Sequence, residues 1–430
     1  MTAGQHSSRP VLKVIIVGAG LAGLAAAIAL KQAGHEVTVF ERVPEVKEVG
    51  AGIQLAPNAT RLLRKWGVLD ELRKHAFQPE TGALHSYTGA VIQRAPPGAL
   101  IERKYEAPYL VVHRADLINV LYAGALRNGV EVRLGSDVAA IDFEAPSLAL
   151  ASGEVFAADV ILGADGDRSL CRSTLYGKPD LPTPTGDVVY RIAVPRPEIT
   201  EGHPSFHLMK SASVNVWMGP GAHGVSYLMK DAVLNVVLVM KDTANQKIMY
   251  GPQLADVDEM QRAFVGWDPA LQELAKVEQS QVLKWSLFQI NKPHTWVHES
   301  GKVALMGDAA HAMLPYLAQG ASMAFEDAGV LGGIFANLAD RSDIPDALRV
   351  YQQLRKPRAD EVRDRTLQQK AMYSLPDGPA QQERDAKLAF KGPLVGSPNA
   401  LGDPVFQQWL WGYDAEIEGE NAWAEFVEGA

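Results

Sequence analysis

The chain has 430 residues, 47% apolar and 21% charged, with a formal net charge of −9 and one cysteine, Cys171. That composition describes a globular protein with ample chain for a core, and it excludes an intramolecular disulfide framework or a cysteine-built zinc site. The negative balance disfavours loose attraction to nucleic acid or anionic lipid, so an anionic ligand would need local cations.

Residues 1–10, MTAGQHSSRP, are polar and lack the apolar stretch of a signal peptide. No later run is long and apolar enough to span a bilayer, and a cytoplasmic protein is expected. There is no internal repeat. The first unit, LKVIIVGAGLAGLAAAIALKQAGHEVTVFER, reads as strand, helix, strand: a β-branched run at 14–17, an Ala/Leu-rich helix ending near Gly34, and a second strand closing on Glu41. Between the first strand and the helix stand Gly18, Gly20 and Gly23. Glycines there allow a tight turn and close approach of backbone N–H groups to a pyrophosphate, and an acid ending the second strand can accept from ribose hydroxyls. A lone G-x-G-x-x-G is weak evidence, whereas the set of strand, helix and acid is not.

Further along, VGAGIQLAPNATRLLRKWG places Gly50 and Gly52 in a loop before an amphipathic helix carrying Leu62, Leu63 and Trp66. YLVVHRADLINVLYAGAL reads as a short strand ending at His113-Arg114, then a helix with Asp116 as its N-cap. ADVILGADGDRSLCR is a buried strand finishing in Gly163-Ala164-Asp165-Gly166. Residues 176–299 change character, with short apolar segments separated by Gly and Pro, and read as a mostly antiparallel sheet. LMGDAAHAMLPYLAQGASMAFEDAG, at 305–329, ends a strand on Gly307-Asp308 and starts a helix of small residues near Gln319-Gly320. The final segment opens with a charged helix, YQQLRKPRADEVRDRTLQQKAMY, and closes in a Gly/Pro-broken, Trp-rich tail expected to pack onto the core.

Together these motifs resemble the single-component FAD-dependent aromatic monooxygenases, the group A flavoprotein hydroxylases, and especially their salicylate hydroxylase-like branch, over roughly residues 11–370. The resemblance implies an α/β fold: a discontinuous Rossmann-type FAD-binding domain (10–80, 105–175 and 300–365), an inserted, mostly antiparallel β-sheet substrate domain (81–104 and 176–299), and a helical C-terminal region (366–430). It places Gly18, Gly20, Gly23 and Glu41 at the ADP half of FAD, Arg114 at its phosphates, Asp165 in a motif tied to FAD and NAD(P)H, and Asp308 on the ribityl chain. Arg42, Gly52, Gly320 and Ala321 complete the expected FAD contacts, the helix from Gly320 aiming its positive end at the pyrimidine edge of the ring.

The implied chemistry is reduction of FAD by NADH or NADPH, a C4a-hydroperoxide formed with molecular oxygen, and attack on an electron-rich ring carbon. Pro315 is expected at the reactive face. His223 is the expected base, with Tyr227 four residues on and on the same strand face, and Arg191 is the cation for a substrate carboxylate or phenolate. His311 reads as a packed histidine and not as a base. No metal is expected. The substrate is read as a small aromatic, most simply a salicylate-type hydroxybenzoate converted to catechol with loss of carbon dioxide, in a monomer or homodimer. Two further readings stand beside it: the same chemistry on a larger phenolic, polyketide or indole, and a non-catalytic FAD-binding protein. A nicotinamide-only dehydrogenase would explain Gly18 to Glu41 but not Asp165 or Asp308.

Overall fold

The structure, a computed structural model, describes residues 9–46, 52–195, 198–230, 233–242, 248–276 and 282–429. Gly50 lies outside them. The first sheet is fully parallel and has five strands, in the order Val303–Leu305, Val160–Gly163, Lys13–Val17, Glu36–Phe40, Glu131–Arg133. Apart from Lys13–Val17 and Glu36–Phe40, neighbours in this sheet are far apart in sequence, which makes the domain discontinuous. Its central strands are apolar and buried from Val14 to Val17 and from Val160 to Gly163 because helices cover both faces.

One of these helices, Leu21–Gln32, is buried from Leu21 to Leu30, which explains why its sequence is Ala/Leu on every side and not amphipathic. It crosses the helix Gly320–Phe335 closely, where Gly332 faces Ala29. Helix Pro57–Lys65 follows the strand Gly52–Leu55, so Gly52 stands on a strand and not in the expected loop. The helix Arg114–Arg127 is capped by the His113 side chain, which accepts from the Ala115 N–H. Asp116, expected as the cap, instead sits in the first turn, three residues past His113, because the strand ends directly on His113.

The second sheet has eight strands, in the order Gln253–Leu254, Val282–Gln289, Thr183–Pro195, Val233–Lys241, Ala222–Met229, Ser213–Gly219, Thr81–Ser86, Val91–Ala95. All pairs are antiparallel except Ser213–Gly219 with Thr81–Ser86. Alternation assigns its faces. Tyr190, Ile192, Trp217 and Leu238 pack under the helices Val257–Ala263 and Pro269–Leu274, while Val189, Val239, Val216 and Leu287 meet Leu314, Tyr316 and Tyr373 from the first domain and its C-terminal extension. The second face therefore looks at the nucleotide-binding half.

The C-terminal region is helical, as expected. The charged helix runs unbroken from Ile344 to Tyr373 with Pro357 inside it, so the boundary drawn at 365/366 falls within one element. Beyond it the chain forms the helices Pro379–Leu388, Pro404–Trp411 and Ala415–Gly429, with breaks at Gly and Pro between them. Trp411 and Trp423 are buried, as packing onto the core requires. Gly329, Gly333 and Gly419 make the last contact possible, since a Cβ on any of them would press into the facing helix.

Candidate active site

Gly18 turns at φ +104, and a side chain there would strike the Ala164 carbonyl oxygen at 2.5 Å. A Cβ on Gly23 would overlap the Gly18 carbonyl, so strand end and helix start are in direct contact. Gly20 is different. Nothing lies within 4 Å of where its Cβ would stand, and it precedes the helix Leu21–Gln32 with no side-chain cap and no acid in the first turn. Open space above unpaired N–H groups at the positive end of a helix is what a pyrophosphate needs. Glu41, one residue past its strand, accepts from the N–H groups of Ala19 (2.8 Å) and Val43 (3.0 Å), which keeps its carboxylate against this loop. Arg42 beside it is exposed.

A cleft of about 440 Å³ lies between the sheets and is lined by Gly52, Arg114, Asp167, Arg191, Asp308 and Met313 among others. Arg114 and Asp308, expected at the phosphates and at the sugar alcohol of one cofactor, thus face a single space. Asp165 does not face it with a free carboxylate. One oxygen accepts from the Ser169 hydroxyl (2.5 Å) and the other from the Cys171 N–H (3.0 Å), so the side chain shapes the loop before the helix Leu170–Leu175. Asp167, two residues on, lines the cleft in its place. Burial, and then the nearby Asp308, raise the Asp167 carboxyl above its ordinary pKa.

On the inner face of the eight-stranded sheet, His223 and Tyr227 lie in one strand, as their even spacing predicts. Tyr227 packs its ring directly on Gly52. Burial pushes its hydroxyl up to about 12 against the opposing pull of Arg191, so it is a donor at neutral pH. Arg191 donates to the Gly52 carbonyl (3.3 Å) and lies 5.6 Å from the centre of the Trp285 ring. No carboxylate among the described residues pairs with it. Burial lowers its pKa, and Arg114 lowers it further.

His223 is 3% exposed and sits between the rings of Tyr316 and Tyr373, each 5.2 Å away. Burial and then Lys370 lower its pKa to about 3. An imidazole held that low stays neutral at working pH, so the packing favours a hydrogen-bond acceptor here and not the proton-storing base expected at this position.

The third wall begins at Gly307, at φ +56, where a side chain would strike Ala22 at 2.6 Å. Asp308 follows, exposed to the cleft. His311 is fully buried, with Nε2 donating to Asp327 (2.6 Å) and its ring 5.3 Å from that of Trp296, which confirms a packed histidine. Pro315 opens a short 3-10 turn and is itself exposed. Ala318, at φ +52, reverses the chain into the helix Gly320–Phe335. That helix also starts without a side-chain cap or an acid in its first turn, and Gly320 has only Met313 within 4 Å of a Cβ position. Ala321 follows in the same open turn, and the Ser322 hydroxyl is buried with no hydrogen-bond partner among the described residues.

The FAD binding domain family matches residues 11–366. The "FAD-dependent monooxygenase OpS4" of Beauveria bassiana (strain ARSEF 2860) is 39% identical over 97% of this chain and 98% of its own length. The chain belongs to the FAD-dependent aromatic monooxygenases. Among this flavoprotein's other relatives, the 3-amino-4-hydroxybenzoate 2-monooxygenase of Streptomyces cremeus is 34% identical over 94% of this chain and 96% of its own. A solved salicylate hydroxylase substrate complex is 26% identical with a TM-score of 0.78, covering 96% of this chain and 98% of that one.

The residues of this hydroxylase fit FAD. They offer a bare Gly20 under open space, two uncapped helix starts, an unpartnered Ser322 hydroxyl, and Arg114 and Asp308 on one cleft. Sequence reasoning missed Asp167, Trp285, Tyr316 and Tyr373. Asp167 and Tyr316 stand inside motifs already singled out. Trp285 alternates with Leu283 and Leu287 in VLKWSLFQ, a period-2 pattern that marks one sheet face.

Proposed function

We propose that the chain hydroxylates a small phenolic benzoate of the salicylate type, with NADH or NADPH as reductant. The oxygen goes to the carboxyl-bearing carbon, and catechol and carbon dioxide leave. The observation that carries this reading is Arg191. A part-buried guanidinium opens onto the cleft, beside a second arginine, with no carboxylate partner among the described residues. Keeping such a charge there is unfavourable unless a ligand anion answers it, and a planar carboxylate matches the fork of a guanidinium.

Bound FAD supplies the reducible ring that takes a hydride from NAD(P)H and activates dioxygen. The chain does the rest. Arg191 fixes the carboxylate. Tyr227, protonated at neutral pH, donates to an oxygen of the substrate. The neutral His223 imidazole, one strand face along, accepts from the phenol and raises electron density on the ring without holding the proton itself. Trp285, Val189 and Val225 supply an apolar wall that keeps water from the reacting carbon. From the turn that precedes Pro315, Ala312 and Met313 line the cleft, and Pro315 itself does not.

A second reading, hydroxylation of an unsubstituted ring carbon with the carboxylate retained, is favoured by the 34% identity to the 3-amino-4-hydroxybenzoate 2-monooxygenase. Both readings need the same arginine.

Substrate-dependent NAD(P)H oxidation is to be measured with salicylate, 3-amino-4-hydroxybenzoate and an uncharged phenol, scoring hydroxylated product and carbon dioxide. Salicylate giving catechol with stoichiometric carbon dioxide is expected. A dihydroxy acid without gas selects the second reading. Arg191→Ala should keep its flavin and lose about 10- to 100-fold in kcat/KM for the acids only, the worth of one charged hydrogen-bonding partner at about 1.5–3 kcal/mol. Equal turnover of acid and uncharged phenol by both proteins would remove the carboxylate from the proposal.

A further inference from the structure

Asp308 and the start of the helix Gly320–Phe335 must hold two parts of one cofactor in register, yet they belong to separate turns. The structure joins them behind the cleft through side chains that never reach it. Asp327 is fully buried on the far side of the Gly320–Phe335 helix. Its Oδ2 accepts from the Gly307 N–H (2.9 Å) and from His311 Nε2 (2.6 Å), the residues on either side of Asp308-Ala309-Ala310. Its Oδ1 accepts from Arg355 Nε (2.9 Å). The same guanidinium donates to Glu326 (2.5 Å), whose other oxygen accepts from Asn58 Nδ2 (2.7 Å). Asn58 Nδ2 also donates to Gln319 (3.1 Å), the residue just before Gly320. Arg358 closes the group on Glu326, and the Tyr413 ring lies 3.8 Å from its guanidinium carbon.

We propose that Asp327 is a positioning residue for FAD: it clamps both ends of the turn that carries Asp308 and, through Arg355, Glu326 and Asn58, sets that turn relative to the first residue of the flavin helix. Two features set this apart from ordinary core packing. The left-handed Gly307 leaves its N–H aimed inward, and Asp327 is the acceptor that fixes it, while the Ala310 and His311 N–H groups hold only its carbonyl. Burying two carboxylates against two guanidinium groups gains little stability over an apolar core of equal volume, so geometry is the better reason for having them. Burial works to raise the Asp327 and Glu326 pKa values, and the facing His311, Arg355 and Arg358 outweigh it, so both stay ionised.

The inference rests on the assignment of Asp308 to the cofactor, and a double-mutant cycle separates the two. Apoprotein of the wild type, Asp308→Ala, Asp327→Asn and the double variant is titrated with FAD by flavin fluorescence, each below its own unfolding temperature. Asn has one acceptor oxygen where Asp has two: with that oxygen on Arg355, its Nδ2 is a donor facing the Gly307 N–H and His311 Nε2, so the Gly307 bond is lost while the side-chain volume is kept. His311→Gln removes one clamp point more gently and decides the matter if Asp327→Asn does not fold.

Asp327→Asn is expected to weaken FAD by 10-fold or more, His311→Gln by a few-fold, and the double variant to bind no worse than Asp308→Ala alone, because Asp327 acts through Asp308. Additive losses, or wild-type affinity in both Asp327→Asn and His311→Gln, overturn the proposal. An unaltered Asp308→Ala would overturn the ribityl assignment itself.

Discussion

His223 shows how burial decides what a side chain can do. The sequence places a histidine on the correct strand face, and from that position alone a base is the natural reading. Packed between Tyr316 and Tyr373, with Lys370 nearby, the imidazole is held at about 3, from an ordinary value of 6.5. The unfolded chain therefore binds a proton between pH 6.5 and 3 that the folded chain does not, so stability is full above this window and falls as the pH drops through it. Between pH 7 and 5 this one group should cost about 2 kcal/mol, from 1.36 kcal/mol per pH unit below its unfolded value. Urea unfolding of the wild type and of His223→Gln at both pH values checks it. The variant should lose about 2 kcal/mol less than the wild type on acidification, and parallel losses would mean the imidazole is not held neutral.

At the scale of elements, the nucleotide unit was legible because its signals are local: strand, glycines, helix and acid lie within one stretch from Lys13 to Glu41. The glycines nevertheless do different work, and this yields a contrast. Gly20→Ala meets nothing in the protein and keeps a φ of −73, so the apoprotein should fold and melt as the wild type does, while FAD affinity drops 10-fold or more because the new methyl occupies the phosphate space. Gly23→Ala should instead destabilise the apoprotein by several kcal/mol, since its methyl would overlap the Gly18 carbonyl and force strand and helix apart. Thermal melts of both apoproteins beside FAD titrations separate the two effects. What stayed illegible is non-local. Asp165 sits in the motif, but nothing in the string says that Ser169 and Cys171 consume its carboxylate and leave Asp167 facing the cleft. Glu326 and Asp327 were visible as an acidic pair in the flavin helix, but Arg355 stands 29 and 28 residues further on, at a separation no periodicity reports. The Trp-rich tail read as broken because its helices are separated by Gly and Pro, and the docking of Ala415–Gly429 on Gly329 and Gly333 is a contact no local pattern reports.

At the scale of the molecule, a protein of net charge −9 holds an anionic cofactor and, as proposed, an anionic substrate by gathering Arg114 and Arg191 on one cleft between two sheets. The cleft is only as firm as what stands behind it. The family match ends at residue 366, yet Trp411 and Tyr413 accept from Arg61 through their carbonyls, and the Tyr413 and Trp409 rings cover Arg358. A chain stopped after Gly402 would lose the burial of Leu410, Trp411 and Trp423, about 5–9 kcal/mol at 1.5–3 kcal/mol for each large side chain. That is comparable to the whole stability of a typical domain, about 5–15 kcal/mol, and it would also uncover the buried charges of Glu326 and Arg358. The truncated chain should therefore fail to retain flavin and show no cooperative melt. If the shortened protein purified yellow with a wild-type melting temperature, the tail would be an appendage and the charge network self-supporting.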